Sequence, residues 1–266
     1  MGIKKQDLNI LIYFFTLIIL IIASNKMHFI YIKYIKLLAN KKERKLKVVI
    51  CSCLIGNYDN ISSFEKQEGF DYFLLTDQKI ENTNWTILPI PKYVEKFKIS
   101  NVKKQRYIKI HPHIFFKKYD LSLYIDANYV IKGDLNDFLI NILNPIDNIY
   151  ITHLQFGTSL ELSIKSAITN KLDKLEVLNN TFKRYDYKIL KKQGIVNSGL
   201  IIRKHNNIDC VKLMEEWWKE IEKYSHVDNF SFNYAAYNTG IRFLYISYQF
   251  TLNYFVPKEH LKKINY

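Results

Sequence analysis

Apolar and polar positions along this chain switch repeatedly between a two-residue and a three-to-four-residue period, which divides it into short strands and longer amphipathic stretches. The run LKVVICSCL at 46–54 predicts a first buried strand, closed by the loop IGNYDN. Further strands are predicted at Tyr72–Leu75, Trp85–Ile90, Leu121–Asp126, Ile149–Thr152 and Gly199–Arg203. Helical spacing marks Ser100–Ile110, which stops before Pro112, and also Leu135–Leu143, Leu160–Thr169 and Asp209–Lys223. Another helix is expected to start near Phe230. Strands alternating with helices, without an internal repeat, predict an α/β layer fold around a largely parallel sheet.

The amino-terminal pattern differs. Leu8 to Ser24 carries no charge over seventeen residues, which as a helix would span about 25 Å. That is short for a bilayer core of about 30 Å but adequate for a thinner one. A cleaved signal peptide is the alternative, although the apolar run is long for one and no A-x-A-like site follows. The expected organisation is an N-terminal transmembrane anchor at 1–25, a basic stem or linker at 26–46 and a catalytic domain at 47–266. Lys4 and Lys5 precede the span, whereas Lys26, Lys33, Lys36, Lys41, Lys42 and Arg44 follow it. This bias places the catalytic part of a single-pass membrane protein in the cytosol, and a lumenal, Golgi type II orientation would run against it.

A chain of 266 residues with 48% hydrophobic content can bury one substantial core. Its net charge of +14 would ordinarily raise nucleic acid as a partner. Lysine supplies 34 of the 39 basic residues, however, beside abundant Ile, Asn and Tyr, and no nucleic-acid motif accompanies the charge. A compositional bias explains it better, and no nucleic-acid partner is expected. Cys51, Cys53 and Cys210 are too few and too unevenly spaced for a disulfide framework; Cys51 and Cys53 alternate in an apolar strand as small buried hydrophobes.

The most informative stretch is YDLSLYIDANYVIKGD at 119–134. An apolar strand runs straight into Asp126, Ala127 and Asn128, and a two-residue repeat would put Asp126 and Asn128 on one side of an extended backbone. Open α/β sheets bind ligands beyond the carboxyl ends of their strands, so Asp-x-Asn there suggests a nucleotide-sugar site. The plain alternative is an Asx-rich turn that ends the strand.

Five blocks stand in order: GNYDN at 56–60, QRYIKIHPH at 105–113, the YDLSLYIDAN strand, NSGLIIRKHN at 197–206 and EEWWKEIEKYSHVDNFSF at 215–232. Together, over roughly 47–237, they resemble a glycosyltransferase-like family long catalogued as a domain of unknown function, related to plant hexosyltransferases of mucilage polysaccharide synthesis. The resemblance implies a GT-A-like, nucleotide-diphospho-sugar transferase fold: a mixed, mostly parallel sheet flanked by helices. It also implies transfer of a hexose-like sugar from a nucleotide-sugar donor to a glycan or glycoconjugate acceptor. The family usually has Asp-Gln where this chain has Asp228-Asn229, and an arginine shortly after the histidine matching His153, where Leu154, Gln155 and Phe156 stand here.

Such a transfer needs the charge growing on the leaving diphosphate neutralised, and hard oxygen ligands suit Mg²⁺ or Mn²⁺. Asp126 is the first candidate for ribose or metal, Asn128 the second, and His260 the third metal ligand that many GT-A enzymes take from their C-terminal region. With one carboxylate only, the metal requirement is expected to be weak or met with donor bound. Gly56, Asn57, Tyr58 and Asp59 end the first strand, where a loop can approach base and ribose; an ordinary Gly-Asn turn is the alternative. Arg106 and Lys109, three apart on a helix, can meet the diphosphate or form a solvated face. Asn197 and Gly199 can leave room for the sugar ring, or simply make a tight turn. Asp228 is the catalytic candidate, deprotonating an acceptor hydroxyl or orienting the donor, with helix capping as its alternative. His111 and His113 flank Pro112 as capping or packing groups rather than a metal pair. Of Trp217 and Trp218, one is expected in the core and the other exposed as a sugar-stacking platform. The competing functions are a lipid-amide, ceramidase-like hydrolase, for which no G-x-S-x-G or H-E-x-x-H is present, and a catalytically inactive sugar-binding protein.

Overall fold

A computed structural model of the chain describes residues 46–56, 59–144, 146–153, 160–185 and 195–259. Its first half runs β1 (Val48–Leu54), β2 (Phe70–Thr76), β3 (Thr86–Pro89), α1 (Lys92–Glu95), α2 (Asn101–Ile110), α3 (Pro112–Phe115), β4 (Leu121–Ile125), β5 (Tyr129–Ile131) and α4 (Leu135–Ile142). Then follow β6 (Ile149–His153), α5 (Leu160–Thr169), α6 (Leu175–Arg184), β7 (Val196–Arg203), α7 (Ile208–Lys223), α8 (Asp228–Thr239), β8 (Leu244–Ile246), α9 (Tyr248–Thr251) and β9 (Phe255–Pro257).

Seven strands form one sheet in the order β3-β2-β1-β4-β7-β6-β8, and β5 pairs with β9 in a separate ribbon. β1 runs parallel to both β2 and β4, β2 to β3, and β6 to β8, whereas β7 is antiparallel to its neighbours β4 and β6. The mixed, mostly parallel sheet with helices on its faces agrees with the α/β layer expected from the sequence.

The period-two pattern of β1 explains its central place. All seven residues are buried, with Val48, Ile50 and Leu54 joining a core with Leu123, Phe138 and Phe255. Val49, Cys51 and Cys53 join a second core with Ile108, Leu213 and Trp217 on α2 and α7. A strand covered on both faces reads as a continuous apolar run. Helices α2, α4 and α7 start where short polar side chains offer acceptors: Ser100 Oγ accepts from Lys103 N, Asp134 Oδ1 from Asn136 N and Asp137 N, and Asn207 Oδ1 from Asp209 N.

Two expectations are corrected. Neither tryptophan is an exposed platform: Trp217 is fully buried and Trp218 is 8% exposed. Helix α7 is covered from two sides, so Trp217 packs edge-on against Phe232 of α8 while Trp218 packs against Tyr107 of α2 and the His111 ring. The second correction concerns the N-terminal transmembrane anchor and the single-pass membrane localisation drawn from it. Among the described residues no helix is long and apolar enough to cross a membrane, and the segment 8–24 lies outside those residues.

Trp217 also donates Nε1 to Asp228 O at 3.2 Å and to Ser231 Oγ at 3.1 Å, so it joins the core to the start of α8. Trp217→Ala should therefore destabilise the fold by about 3–5 kcal/mol, measured by urea unfolding. A loss well under 1 kcal/mol would contradict this packing.

Candidate functional site

Four segments meet beyond the carboxyl end of β4. Asp126 follows the strand directly, and its N–H donates to Gly199 O at 2.9 Å, which brings the start of β7 alongside. Above them lie Arg106 and Lys109, one helical turn apart on α2, and the first residue of α8, Asp228. The predicted pair does share a face, because positions three apart on a helix are neighbours. Lys109 Nζ lies 2.8 Å from Asp228 Oδ2, 3.6 Å from Asp126 Oδ1 and 3.0 Å from Ser198 Oγ. Arg106 Nε lies 3.1 Å from the same Asp228 oxygen. Ser198 Oγ is also within 2.8 Å of Asp228 Oδ2 and 2.7 Å of Asn229 Oδ1.

The charges differ in access. The Lys109 side chain is fully buried and that of Asp228 is 5% exposed, whereas those of Arg106 and Asp126 are 21% and 27% exposed. Burial pushes the Asp228 carboxyl up, but Arg106 and Lys109, with the hydrogen bonds from Lys109 and Ser198, outweigh it and hold the group down to about 2. A carboxylate so held is a weak proton acceptor at neutral pH. Nor does Asp228 cap its helix. The N-cap of α8 is Val227 and makes no side-chain capping bond, so the carboxylate is committed to the two cations.

Asp126 and Asn128 do not project from an extended strand as expected. β4 ends at Ile125, and Tyr129 N donates to Asp126 O at 3.0 Å, so residues 126–129 form a turn that feeds β5. Asn128 is turned to the β9 side, where its Nδ2 donates to Lys258 O at 2.7 Å and its backbone carbonyl accepts from Lys258 N. Its buried Oδ1 takes no hydrogen bond among the described residues. Asp126 Oδ1 accepts from Tyr124 OH at 2.9 Å.

The expectation of a metal centre built from protein ligands is corrected. Among the described residues no group of three or more His, Cys, Asp or Glu side chains could hold a metal ion, and His260 lies outside them. What the turn does offer is the part-exposed Asp126 carboxylate, the unbonded Oδ1 of Asn128 being buried on the β9 side. A single carboxylate fits Mg²⁺ or Mn²⁺ only when the remaining ligands come from elsewhere.

Gly199 and Asn197 form the wall next to Asp126. A Cβ on Gly199 would stand 2.9 Å from Tyr129 Cε2, 3.0 Å from Asn197 Oδ1 and 3.1 Å from Asp126 Oδ2, so the position has no space for a side chain. Asn197 Oδ1 accepts from Gly199 N and its Nδ2 donates to Tyr129 OH. At the end of β1, Gly56 adopts φ +77°, a conformation suited to glycine. Its N–H lies 3.0 Å from both carboxylate oxygens of Asp77, and its carbonyl accepts from Gln78 Nε2. Asp59 is buried, and Asn57 and Tyr58 lie outside the described residues. Residues 59–61, Ser63 and residues 78–83 line a mostly polar cavity of about 420 Å³ nearby.

The histidine pair stands elsewhere. His111 Nε2 and His113 Nε2 lie 3.6 and 3.0 Å from Glu215 Oε1, packed between α3 and α7. The residues missed by the sequence reading are Gln105, Tyr124, Tyr129, Ser198 and Asn229. One signal was available for Tyr124: it stands two before Asp126, on the same face of the strand.

No family model matches the chain, and no curated protein is similar to it. Solved structures are similar to it at low identity. A bifunctional glycosyltransferase, WbbM, in its apo form has a TM-score of 0.48 and 13% identity over 76% of this chain, which spans 39% of that one. Mouse xyloside xylosyltransferase 1, also apo, has a TM-score of 0.44 and 7% identity over 75% of this chain and 84% of that one. A glycosyltransferase involved in glycosylation of the major capsid of PBCV-1 has a TM-score of 0.40 and 10% identity over 79% of this chain and 91% of that one. At these values, substrate chemistry has to come from the residues of the chain itself.

Folding lowers the Asp228 carboxyl from its ordinary 3.8 to about 2. Its contribution to stability is thus present above about pH 4 and is lost as pH falls through 2, a change on the order of 2 kcal/mol. The stability difference between wild type and Asp228→Asn in urea should narrow by that amount from pH 7 to pH 2. An equal difference at both values would show that Asp228 is not held ionised by Arg106 and Lys109.

Proposed function

We propose that the chain is a glycosyltransferase that moves a hexose-class sugar from a nucleoside-diphosphate donor to a hydroxyl of a glycan or glycoconjugate. One observation carries this reading. Asp126, a part-exposed carboxylate at the carboxyl end of a parallel strand, has Oδ1 engaged by Tyr124 and near Lys109, and packs against Gly199, where a Cβ would crowd its Oδ2. Ligands of open α/β sheets bind at such strand ends. The resemblance of the five sequence blocks to the mucilage-type family supports the same assignment.

The transfer breaks the bond between the anomeric carbon and the diphosphate oxygen and forms one to the acceptor oxygen. Charge grows on the leaving diphosphate, so cations placed nearby lower the barrier. Arg106 is the part-exposed cation of the cluster and is assigned that contact. Lys109 lies behind it, fully buried, and raises the local potential without reaching solvent. A divalent ion entering with the donor would be held by the Asp126 carboxylate and supply further positive charge to the diphosphate. Asn197 and Gly199, the wall beside Asp126, are assigned to the sugar, and Gly56 and Asp59, after the end of β1, to the base and ribose. Asp228 is assigned the ordering of Arg106 and Lys109 rather than proton abstraction.

The hydrolase reading meets a specific obstacle. Ser198 Oγ and Lys109 Nζ are 3.0 Å apart, the spacing of a serine nucleophile and a lysine base. Yet Lys109 is ion-paired with Asp228 at 2.8 Å and Ser198 is buried, so the amine is engaged within the protein and the hydroxyl has no access to a lipid amide.

Incubation with UDP-, GDP- and CMP-sugars and Mn²⁺, with free nucleotide as the readout, should show release with at least one donor. Asp126→Ala should lower it by about 100-fold or more. Full activity in that variant would remove the assignment. A thermal shift with a donor but no nucleotide release would leave a sugar-nucleotide binder instead.

A further inference from the structure

Asp126 is held by a chain of hydrogen bonds whose direction is fixed by chemistry. Arg106 Nη1 donates to Gln105 Oε1. A guanidinium can only donate, so the amide oxygen of Gln105 must face it and the amide nitrogen must face the other way. Gln105 Nε2 then donates to Tyr124 OH at 2.6 Å. With its oxygen receiving that bond, Tyr124 has one proton to give, and Asp126 Oδ1 lies 2.9 Å away to accept it. Gln105 is 7% exposed and Tyr124 1%.

We propose that Gln105 and Tyr124 are positioning residues: a one-way relay from Arg106 through them commits Asp126 Oδ1 to the protein and presents Oδ2 to the donor. Neither residue touches the donor. The relay also couples the two part-exposed charges of the site, because the guanidinium that faces the diphosphate sets the amide that orients the carboxylate. This rests on the glycosyltransferase reading for its consequence in catalysis, but its geometry stands apart from that reading.

The direction of the relay makes an isosteric change informative. In Gln105→Glu the side chain keeps its shape and still accepts from Arg106, but it cannot donate to Tyr124. The phenol should then turn its proton towards the new carboxylate and release Asp126. Tyr124→Phe removes the same bond while keeping the ring in the core. Both variants should raise the donor KM about tenfold and leave kcat within about threefold, because the carboxylate is present but no longer held. The double variant should be no worse than either single one, since both cut one path. A packing role alone predicts near-normal KM in Gln105→Glu and additive losses.

A crystal structure of Gln105→Glu decides the relay even if no donor is ever turned over. Separation of Tyr124 OH and Asp126 Oδ1 beyond hydrogen-bonding distance supports it; retention of the 2.9 Å contact overturns it. Unchanged donor KM in both single variants, with active wild type, likewise overturns the positioning role. Absence of nucleotide release from wild type would count against the transferase reading alone.

Discussion

The ammonium of Lys109 is the constraint around which the site is built. An amine with no exposed surface is expensive to keep charged unless opposite charge and hydrogen bonds replace its water. Asp228, Ser198 and Asp126 do this from three different segments, the start of α8, the start of β7 and the end of β4. Displacing Asp228 would leave the buried ammonium without its close counter-charge. The same requirement explains why Asp228, although first in its helix, is not used as a cap. Its carboxylate is shared between Lys109 and Arg106, both on α2.

Sheet topology makes this convergence possible. β4 runs parallel to β1, and β7 lies antiparallel on its other side, so the carboxyl end of one strand meets the amino end of the next. Asp126 and Gly199 become backbone neighbours through one hydrogen bond. Without the antiparallel insertion, residues 197–199 would lie at the far edge of the sheet. β6 and β8 extend the sheet beyond β7, where β8 pairs parallel to β6.

Elements with a strong local signal were legible in the sequence. The continuous apolar run of β1 and the helical spacing of α2 and α4 follow from local sequence alone. Arg106 and Lys109 were correctly read as sharing a face, since helical spacing fixes that. What could not be read was decided by tertiary neighbours. Asp126-Ala127-Asn128 looks like an extended strand end, but the pairing of β5 with β9 draws Asn128 towards Lys258 and bends the segment into a turn. The β5–β9 ribbon joins strands more than a hundred residues apart, each three residues long, and leaves no periodic trace. Trp217 and Trp218 sit next to each other on a helix, which suggests opposite faces; coverage of α7 by both α2 and α8 buries both.

The division of labour between the two acids follows from access and charge compensation together. Asp228 faces two cations at about 3 Å and has almost no exposed surface, so its charge is spent within the protein. A general base works best with a pKa near the working pH, and a carboxyl held at about 2 is far from that range. Asp126 makes a longer contact with Lys109 and keeps over a quarter of its side chain in solvent. In the proposed reading, positive charge therefore meets the ligand through Arg106 and negative charge through Asp126, the two part-exposed members of the cluster. A nucleoside diphosphate carries anionic oxygens for the first and ribose hydroxyls or a bound cation for the second. A neutral lipid amide offers no counterpart to Arg106, which is why the charge pattern favours an activated sugar over the hydrolytic alternative.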